Sequence, residues 1–392
     1  MASSDLIGAW PQAPSQSCPL VLTVGALPRS EDEEAVVTDI APSDTARVVI
    51  GVDTHKDEHV AVAVDRLGAR LGQHRLRATA AGYAGLERWA TTMEAVLVFG
   101  VEGTGSYGAG LARFLSGRGH KVVEVNRPDR FTRRRFGKSD PVDAEAAARA
   151  VLSGVAQGSP KSGTLGVEMI RTLKIAKDSA MKARTQAINQ MMALVVTAPS
   201  DLREALSGLS AVSLVRRCIG LRPGEVVTTT AAAKLALRSI ARRHRQLTAE
   251  IKAMDAELTR LTAETAPALV QAFCIGPDTA ATLLITAGDN PERLRSEAAF
   301  AALCGVSPVP ASSGKTNRHR LNRGGDRRAN AALHRVVIVR LRHDERTRSY
   351  MRRRVQEGMT KPEVIRCLKR YLAREVFSIL RGPAHANSAL GT

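Results

Sequence analysis

A chain of 392 residues has room for two or three domains with ample cores, and its 57 Lys and Arg against 38 Asp and Glu leave a net charge of +19. That surplus calls for a polyanionic partner, nucleic acid before membrane, and no apolar run reaches the length of a membrane span. Five scattered cysteines without a Cys-x-x-Cys pair speak for a reducing cytoplasm and against a zinc site or disulfide framework, and 3% aromatics speak against base-stacking platforms.

Residues 1–46 are rich in Ser, Pro and acids, hold one arginine against seven acids, and are expected to be disordered. From Arg47 the pattern changes. Val48-Val49-Ile50-Gly51-Val52-Asp53 predicts a strand over 47–53, with further strands near 58–65 and 69–76 and a turn at Arg66-Leu67-Gly68. A helix through Tyr83, Leu86 and Trp89 leads to a strand that ends at Glu102. A helix near 106–117, a short strand from His120 to Val125 and a helix opened by Asp140 complete the region. The order βββαβαβα, with acids closing the first and fourth strands and opening the last helix, is that of α/β ribonuclease-H-like domains. That is the fold expected for 47–155.

Asp53 and Glu102 close two strands of one expected sheet, and the three-residue spacing of Asp140 and Asp143 puts both on one helix face. Carboxylates gathered in this way can hold paired divalent metals against a phosphodiester. Singly, each acid has an ordinary explanation. Asp53 suits a strand-to-turn junction, and Asp140-Pro141 with Asp143 is a ready helix cap. Only a metal site readily accounts for all four. His55, Lys56 and Asp57 follow where they could touch substrate, and Lys56 and Asp57 serve equally well as exposed turn residues. The Gly103-Thr104-Gly105-Ser106-Tyr107-Gly108 loop could cradle a phosphate but lacks the Lys and spacing of a P-loop.

The segment 156–266 reads as helical. Residues 165–200 are polar and Ala-rich, and Leu237, Ile240, His244, Leu247, Ile251, Met254, Leu258 and Leu261 alternate spacings of three and four. This is the a/d seam of a coiled coil, broken only by His244. It points to self-association, with one arm of an intramolecular hairpin as the alternative. A mostly helical region is expected over 267–380. Within it, Leu269 to Ala281 reads as helix, Gly-Pro turn, helix. Such a helix-hairpin-helix-like element can offer backbone N–H groups to a phosphate, although Gly-Pro turns also join helices that touch nothing. Segment 315–342 sets Lys315, Arg318, Arg320, Arg323, Arg327, Arg328, Arg335, Arg340 and Arg342 against Asp326 alone, a density suited to phosphate contact. Residues 381–392 are expected to be disordered.

Three motifs carry a resemblance to a known family: Gly51-Val52-Asp53-Thr54-His55-Lys56, Val101-Glu102-Gly103-Thr104-Gly105-Ser106-Tyr107 and Lys138-Ser139-Asp140-Pro141-Val142-Asp143-Ala144. In order and approximate spacing they are similar to the acidic motifs of the insertion-sequence 110 transposases. Gly276-Pro277, Ser313-Gly314 and Arg323-Gly324-Gly325 resemble that family's second domain. The likeness covers roughly 47–380; the N-terminal extension and Ser139, where Thr is commoner, depart from it.

The resemblance implies a RuvC-like domain in which Asp53, Glu102, Asp140 and Asp143 bind Mg²⁺ (or Mn²⁺), and a C-terminal serine, Ser313 with Ser312 as fallback, that attacks the phosphodiester. It implies double-stranded DNA (element ends and target) as substrate, an element-encoded structured guide RNA, a dimer or tetramer, and a bacterial, nucleoid-associated cytoplasmic location. Lys56, Arg133, Arg134, Arg135, Lys138, Lys315, Arg318, Arg320, Arg323, Arg327 and Arg328 are the candidates for nucleic-acid contact. Two other readings compete. A water-using junction endonuclease needs the acids and no serine, and a non-catalytic nucleic-acid-binding protein needs neither. A tyrosine recombinase built on Tyr350 or Tyr371 would leave the acids without a task.

Overall fold

The computed structural model describes residues 48–93, 96–125, 139–163, 166–290, 293–313 and 319–382. The expectations for the N-terminal extension, for Arg133, Arg134, Arg135 and Lys138, for Lys315 and Arg318, and for the C-terminal tail beyond Gly382 lie outside the described residues.

The N-terminal region runs β1 (Val48–Thr54), β2 (Glu58–Val64), β3 (Arg70–Arg77), α1 (Ala80–Thr91), β4 (Val96–Glu102), α2 (Ala109–Gly117), β5 (Val122–Val125) and α3 (Asp140–Leu152). The sheet order is β3-β2-β1-β4-β5, with β1, β2 and β3 antiparallel in turn and β4 and β5 parallel to β1. Alternate residues of a strand face opposite sides, so a strand covered on both sides must be apolar throughout. Val48, Ile50 and Val52 pack with Leu86, Ala90, Leu111 and Leu115 of α1 and α2, while Val49 packs with Ala144 and Ala148 of α3. The result is a mixed α/β sheet with helices on both faces, consistent with a ribonuclease-H-like domain.

Two long helices follow, α4 (Gly166–Val196) and α7 (Thr229–Thr265), with α5 (Ser200–Leu206) and α6 (Ala211–Ile219) between them. They run antiparallel. Gly166 meets Thr265, the Lys177 ammonium pairs with Asp255, and Arg243 Nη2 donates to Gln190 Oε1 at 3.0 Å. The seam residues Leu237, Ile251, Leu258 and Leu261 are buried. Within the chain, α7 packs on α4 as in the hairpin alternative, while Ile240, His244, Leu247 and Met254 of the same seam are half-buried. An apolar heptad stripe sets the geometry of a pairing and says nothing of which chain supplies the other helix.

The C-terminal region holds α8 (Pro267–Gln271), α9 (Pro277–Ala287), α10 (Glu297–Leu303), a two-stranded hairpin of β6 (Val309–Pro310) and β7 (His319–Arg320), then α11 (Arg327–His343), α12 (Glu345–Gln356) and α13 (Lys361–Arg381). Helix, turn and helix do follow one another over Leu269–Ala281, and the turn carries a left-handed Cys274 at φ 64. The positive end of α9, expected to face a phosphate, is met by Asp278 of its own first turn. That carboxylate accepts from Lys174 Nζ at 2.7 Å and from Lys177 Nζ at 2.6 Å.

The segment after α3 ties this region to the sheet. Arg295 donates to the Gln157 carbonyl at 2.9 Å, Arg293 Nε to Ser159 at 3.1 Å and Asn290 Nδ2 to Pro160 at 3.0 Å. Arg293 also pairs with Glu124 of β5 at 3.3 Å, and the Lys161 ammonium donates to the Ile285 carbonyl.

Candidate metal centre and nucleic-acid surface

The parallel pairing of β1 with β4 puts Val52 opposite Val101, so Asp53 and Glu102 stand at adjacent strand ends. Thr54 Oγ1 donates to the Glu102 carbonyl at 2.9 Å and ties the two ends together. Helix α3 reaches them because β1 carries a glycine beneath it. A Cβ on Gly51 would lie 2.0 Å from the Ala144 carbonyl oxygen and 2.3 Å from the Ala148 nitrogen. Only a glycine below and alanines above permit so close a seat. That seat lowers the first turn of α3 onto the end of β1. The N-cap of α3 is Ser139, so Asp140 and Asp143 both stand within the first helical turn and Asp140 is not the cap.

Asp53 and Asp143 are only 7% and 4% exposed, a degree of burial that ionisable carboxyls avoid unless something compensates them. Burial pushes the Asp53 carboxyl above its ordinary value; His55 opposes this, and the Asp143 and Asp140 charges add to it. Asp140 and Asp143 both come from the first turn of α3, which Gly51 seats against β1, the strand that carries Asp53. Asp53, His55 and Asp140 each bring a ligand atom within 4.8 Å of the others. Glu102, half-buried, lies one position beyond the paired Val101. Mutually repelling oxygens at the edge of a sheet are a donor set that a hard divalent cation fits.

His55 is the residue whose part the sequence left undefined. Its Nε2 lies 3.2 Å from Asp53 Oδ2 and 3.4 Å from Asp140 Oδ1, bridging strand and helix. The available signal was its place two residues beyond a strand-end aspartate. The helix acid that completes the bridge lies 85 residues further along the chain, a separation that only folding closes. Lys56 beside it is exposed. The Gly103–Gly108 loop is a tight turn, with Ser106 N and Gly108 N both donating to the Gly103 carbonyl.

Ser313 and Ser312 lie exposed on the connection from β6 to β7. Gly325 of the Arg-Gly-Gly turn packs where a Cβ would come 2.2 Å from the Gly305 nitrogen, and Asn322 Nδ2 donates to the Ala302 carbonyl at 3.1 Å. These contacts hold the turn that presents Arg320 and Arg323 to a cavity of about 530 Å³, lined also by Val309, Leu321, Asn322 and Gly324. Arg320, Arg323, Arg327 and Arg328 are exposed.

The basic segment is less uniform than its sequence suggests. Arg340 is 6% exposed and makes a two-point pair with Glu375, Arg335 pairs with Asp278 at 3.2 Å, and Arg328 pairs with Asp178 at 3.1 Å. The neutralising acids come from α4, α9 and α13, which the local sequence cannot show. Arg340 is a structural ion pair and not a phosphate contact. Tyr350 stacks edge-on against Tyr371 at 5.8 Å, and burial pushes its hydroxyl well above the ordinary range, the reverse of what a nucleophile needs.

Two protein-family models match the chain. The insertion-sequence 110 DEDD model, described as a transposase, matches residues 50–198, from β1 to beyond the end of α4. The model described as the transposase IS116/IS110/IS902 family matches residues 266–352 and includes Ser313 and the exposed arginines. Comparison with curated proteins gives no match.

Proposed function

The chain belongs to the IS116/IS110/IS902 transposase family, and from that premise we propose that it cuts and rejoins the DNA of an insertion sequence through a serine nucleophile and an acidic metal centre. The observation that carries the reading is the gathering of Asp53, His55 and Asp140, with ligand atoms within 4.8 Å of one another and Asp143 on the same first turn of α3 as Asp140, inside the first matched segment. In this reading Asp53, Glu102, Asp140 and Asp143 hold Mg²⁺ or Mn²⁺ in a RuvC-like domain over residues 47–155. A divalent cation there supplies charge stabilisation to the phosphodiester oxygens. The helical segment 156–266 separates this domain from the serine domain, 267–380.

Ser313 Oγ attacks phosphorus, one DNA hydroxyl leaves, and a phosphoserine link conserves the bond energy, so that rejoining needs no ATP. In this reading Arg320, on β7, and Arg323, in the turn after it, offset charge on the phosphoryl oxygens; their shared exposure to one cavity supports that role. Lys56, Arg327 and Arg328 contribute phosphate contacts. A structured guide RNA and a dimer or tetramer complete the proposal. The RNA is supported by the family and by the surplus charge, the oligomer by the family.

The test uses the full chain and a DNA carrying an element end. Ser313→Ala is expected to abolish the covalent protein–DNA adduct on a denaturing gel while leaving DNA binding intact. Asp53→Asn and Glu102→Gln are expected to slow cleavage by about 10²-fold or more. Adducts that persist in Ser313→Ala, or move to Ser312, would sink the serine assignment. Nicking without adduct in that variant would favour the water-using endonuclease. Unchanged cleavage by Asp53→Asn would leave the acids as mere caps.

A further inference from the structure

His55 belongs to no part of the mechanism above, yet the fold holds it in place with care. Its backbone N–H donates to the Glu58 carbonyl at 3.2 Å and lies 3.3 Å from His59 Nδ1. His59 is fully buried on β2, paired with Thr54 across the sheet and stacked on Tyr83 with ring centres 5.9 Å apart. The turn is thus anchored from β2, while Thr54 anchors it to β4. The His55 side chain itself is 53% exposed, so core packing does not account for where it points. It points between two carboxylates.

The spacing is informative. Metal–ligand bonds of about 2.1 Å put neighbouring donors about 3.0–3.4 Å apart in octahedral or tetrahedral shells. The two His55 Nε2 to carboxylate distances are 3.2 and 3.4 Å, the edge length of such a shell. We propose that His55 is a nitrogen ligand of the divalent ion held by the acidic quartet, so that the centre is a mixed nitrogen–oxygen site. This rests on the metal-centre reading above and adds a ligand to it. The Nε2 lone pair makes the bond, and the ring then carries its proton on Nδ1. A nitrogen donor favours Mn²⁺ and Co²⁺ over Mg²⁺, which prefers oxygen and gives up its water reluctantly. Removal of His55 therefore weakens Mn²⁺ more than Mg²⁺.

The test is metal binding to the full-length protein without DNA, so its readout is independent of turnover. Mn²⁺ bound to the wild-type chain is expected to show ¹⁴N coupling in electron spin-echo spectra, and the coupling is expected to vanish in His55→Ala and His55→Gln. The Mn²⁺ Kd is expected to rise about tenfold or more in both variants, with the Mg²⁺ Kd moving less than about threefold. Circular dichroism of both variants checks that the exposed side chain has been removed without unfolding. If Mn²⁺ binds the wild type without ¹⁴N coupling, and Asp53→Asn still abolishes that binding, the acidic metal centre stands and His55 is only an ion-pair partner. If Mn²⁺ binding is indifferent to Asp53→Asn, the metal-centre reading fails and the inference with it.

Discussion

At the scale of single residues, a charge taken out of water must stay paired. Lys174 and Lys177 of α4 have side chains only 10% and 6% exposed, and both reach Asp278. Burial by itself would raise the Asp278 carboxyl, but hydrogen bonds and charge from Lys174 and Lys177 outweigh it and hold the group well below the usual carboxylate range. A carboxyl depressed in the folded state contributes stability above its unfolded value, here 3.8, and loses it as pH falls through the folded value. The denaturant midpoint is therefore expected to drop as pH is lowered below about 4, and less steeply in Asp278→Asn. At pH 7 that substitution leaves two buried ammonium groups short of an anion. It is expected to cost about 2–3 kcal/mol, below the range for fully buried pairs because Asp278 keeps a side-chain exposure of 34%. A flat pH response shared by both proteins would place the stabilising charge elsewhere.

At the scale of elements, the site depends on how closely one helix can approach one strand. The contact between α3 and β1 runs through Gly51, Ala144 and Ala148, and it sets the height of Asp140 and Asp143 over Asp53. Gly51→Ala is expected to destabilise the protein by about 3 kcal/mol or more and to abolish cleavage, because its new methyl meets backbone and no side chain can yield. Gly105→Ala is the matched control. Nothing lies within 4 Å of a Cβ there, and its effect on the unfolding midpoint is expected to stay within about 0.5 kcal/mol. Equal losses in the two variants would show that glycine content matters there and the helix seat does not. Strands β1 and β4 were legible in the sequence as nearly unbroken apolar runs, which burial on both faces produces and few other settings do. The partner of α7 was not. Its seam is one periodic stripe, and periodicity carries no address.

At the scale of the whole molecule, the sheet and the C-terminal helices are joined by a short strap, residues 157–163, which bonds to Ile285, Asn290, Arg293 and Arg295. Arg293 is the hub. It pairs with Glu124 and donates to the Ser159 carbonyl, so it touches both the sheet and the strap. Arg293→Ala is expected to remove about 2–3 kcal/mol from this junction. The thermal transition should split in calorimetry, and proteolysis within the strap should accelerate. A single unshifted transition would mean that apolar packing alone couples the regions.

What this sequence determined by itself was chemical and local: the strand-end acids, the helix that Asp140 and Asp143 open, the basic C-terminal segment, and the motifs by which the chain resembles its family. Each is a pattern within a few residues, where side-chain period and residue type are enough. Tertiary structure alone decided the pairings. It brought His55 between Asp53 and Asp140, gave Arg328, Arg335 and Arg340 acids from three distant helices, and closed the α7 seam on α4. These partners lie tens of residues or more apart, and complementary charge or apolar surface at such separation fits many possible mates. Only the packing of layers, here a helix seated on a glycine, chooses among them.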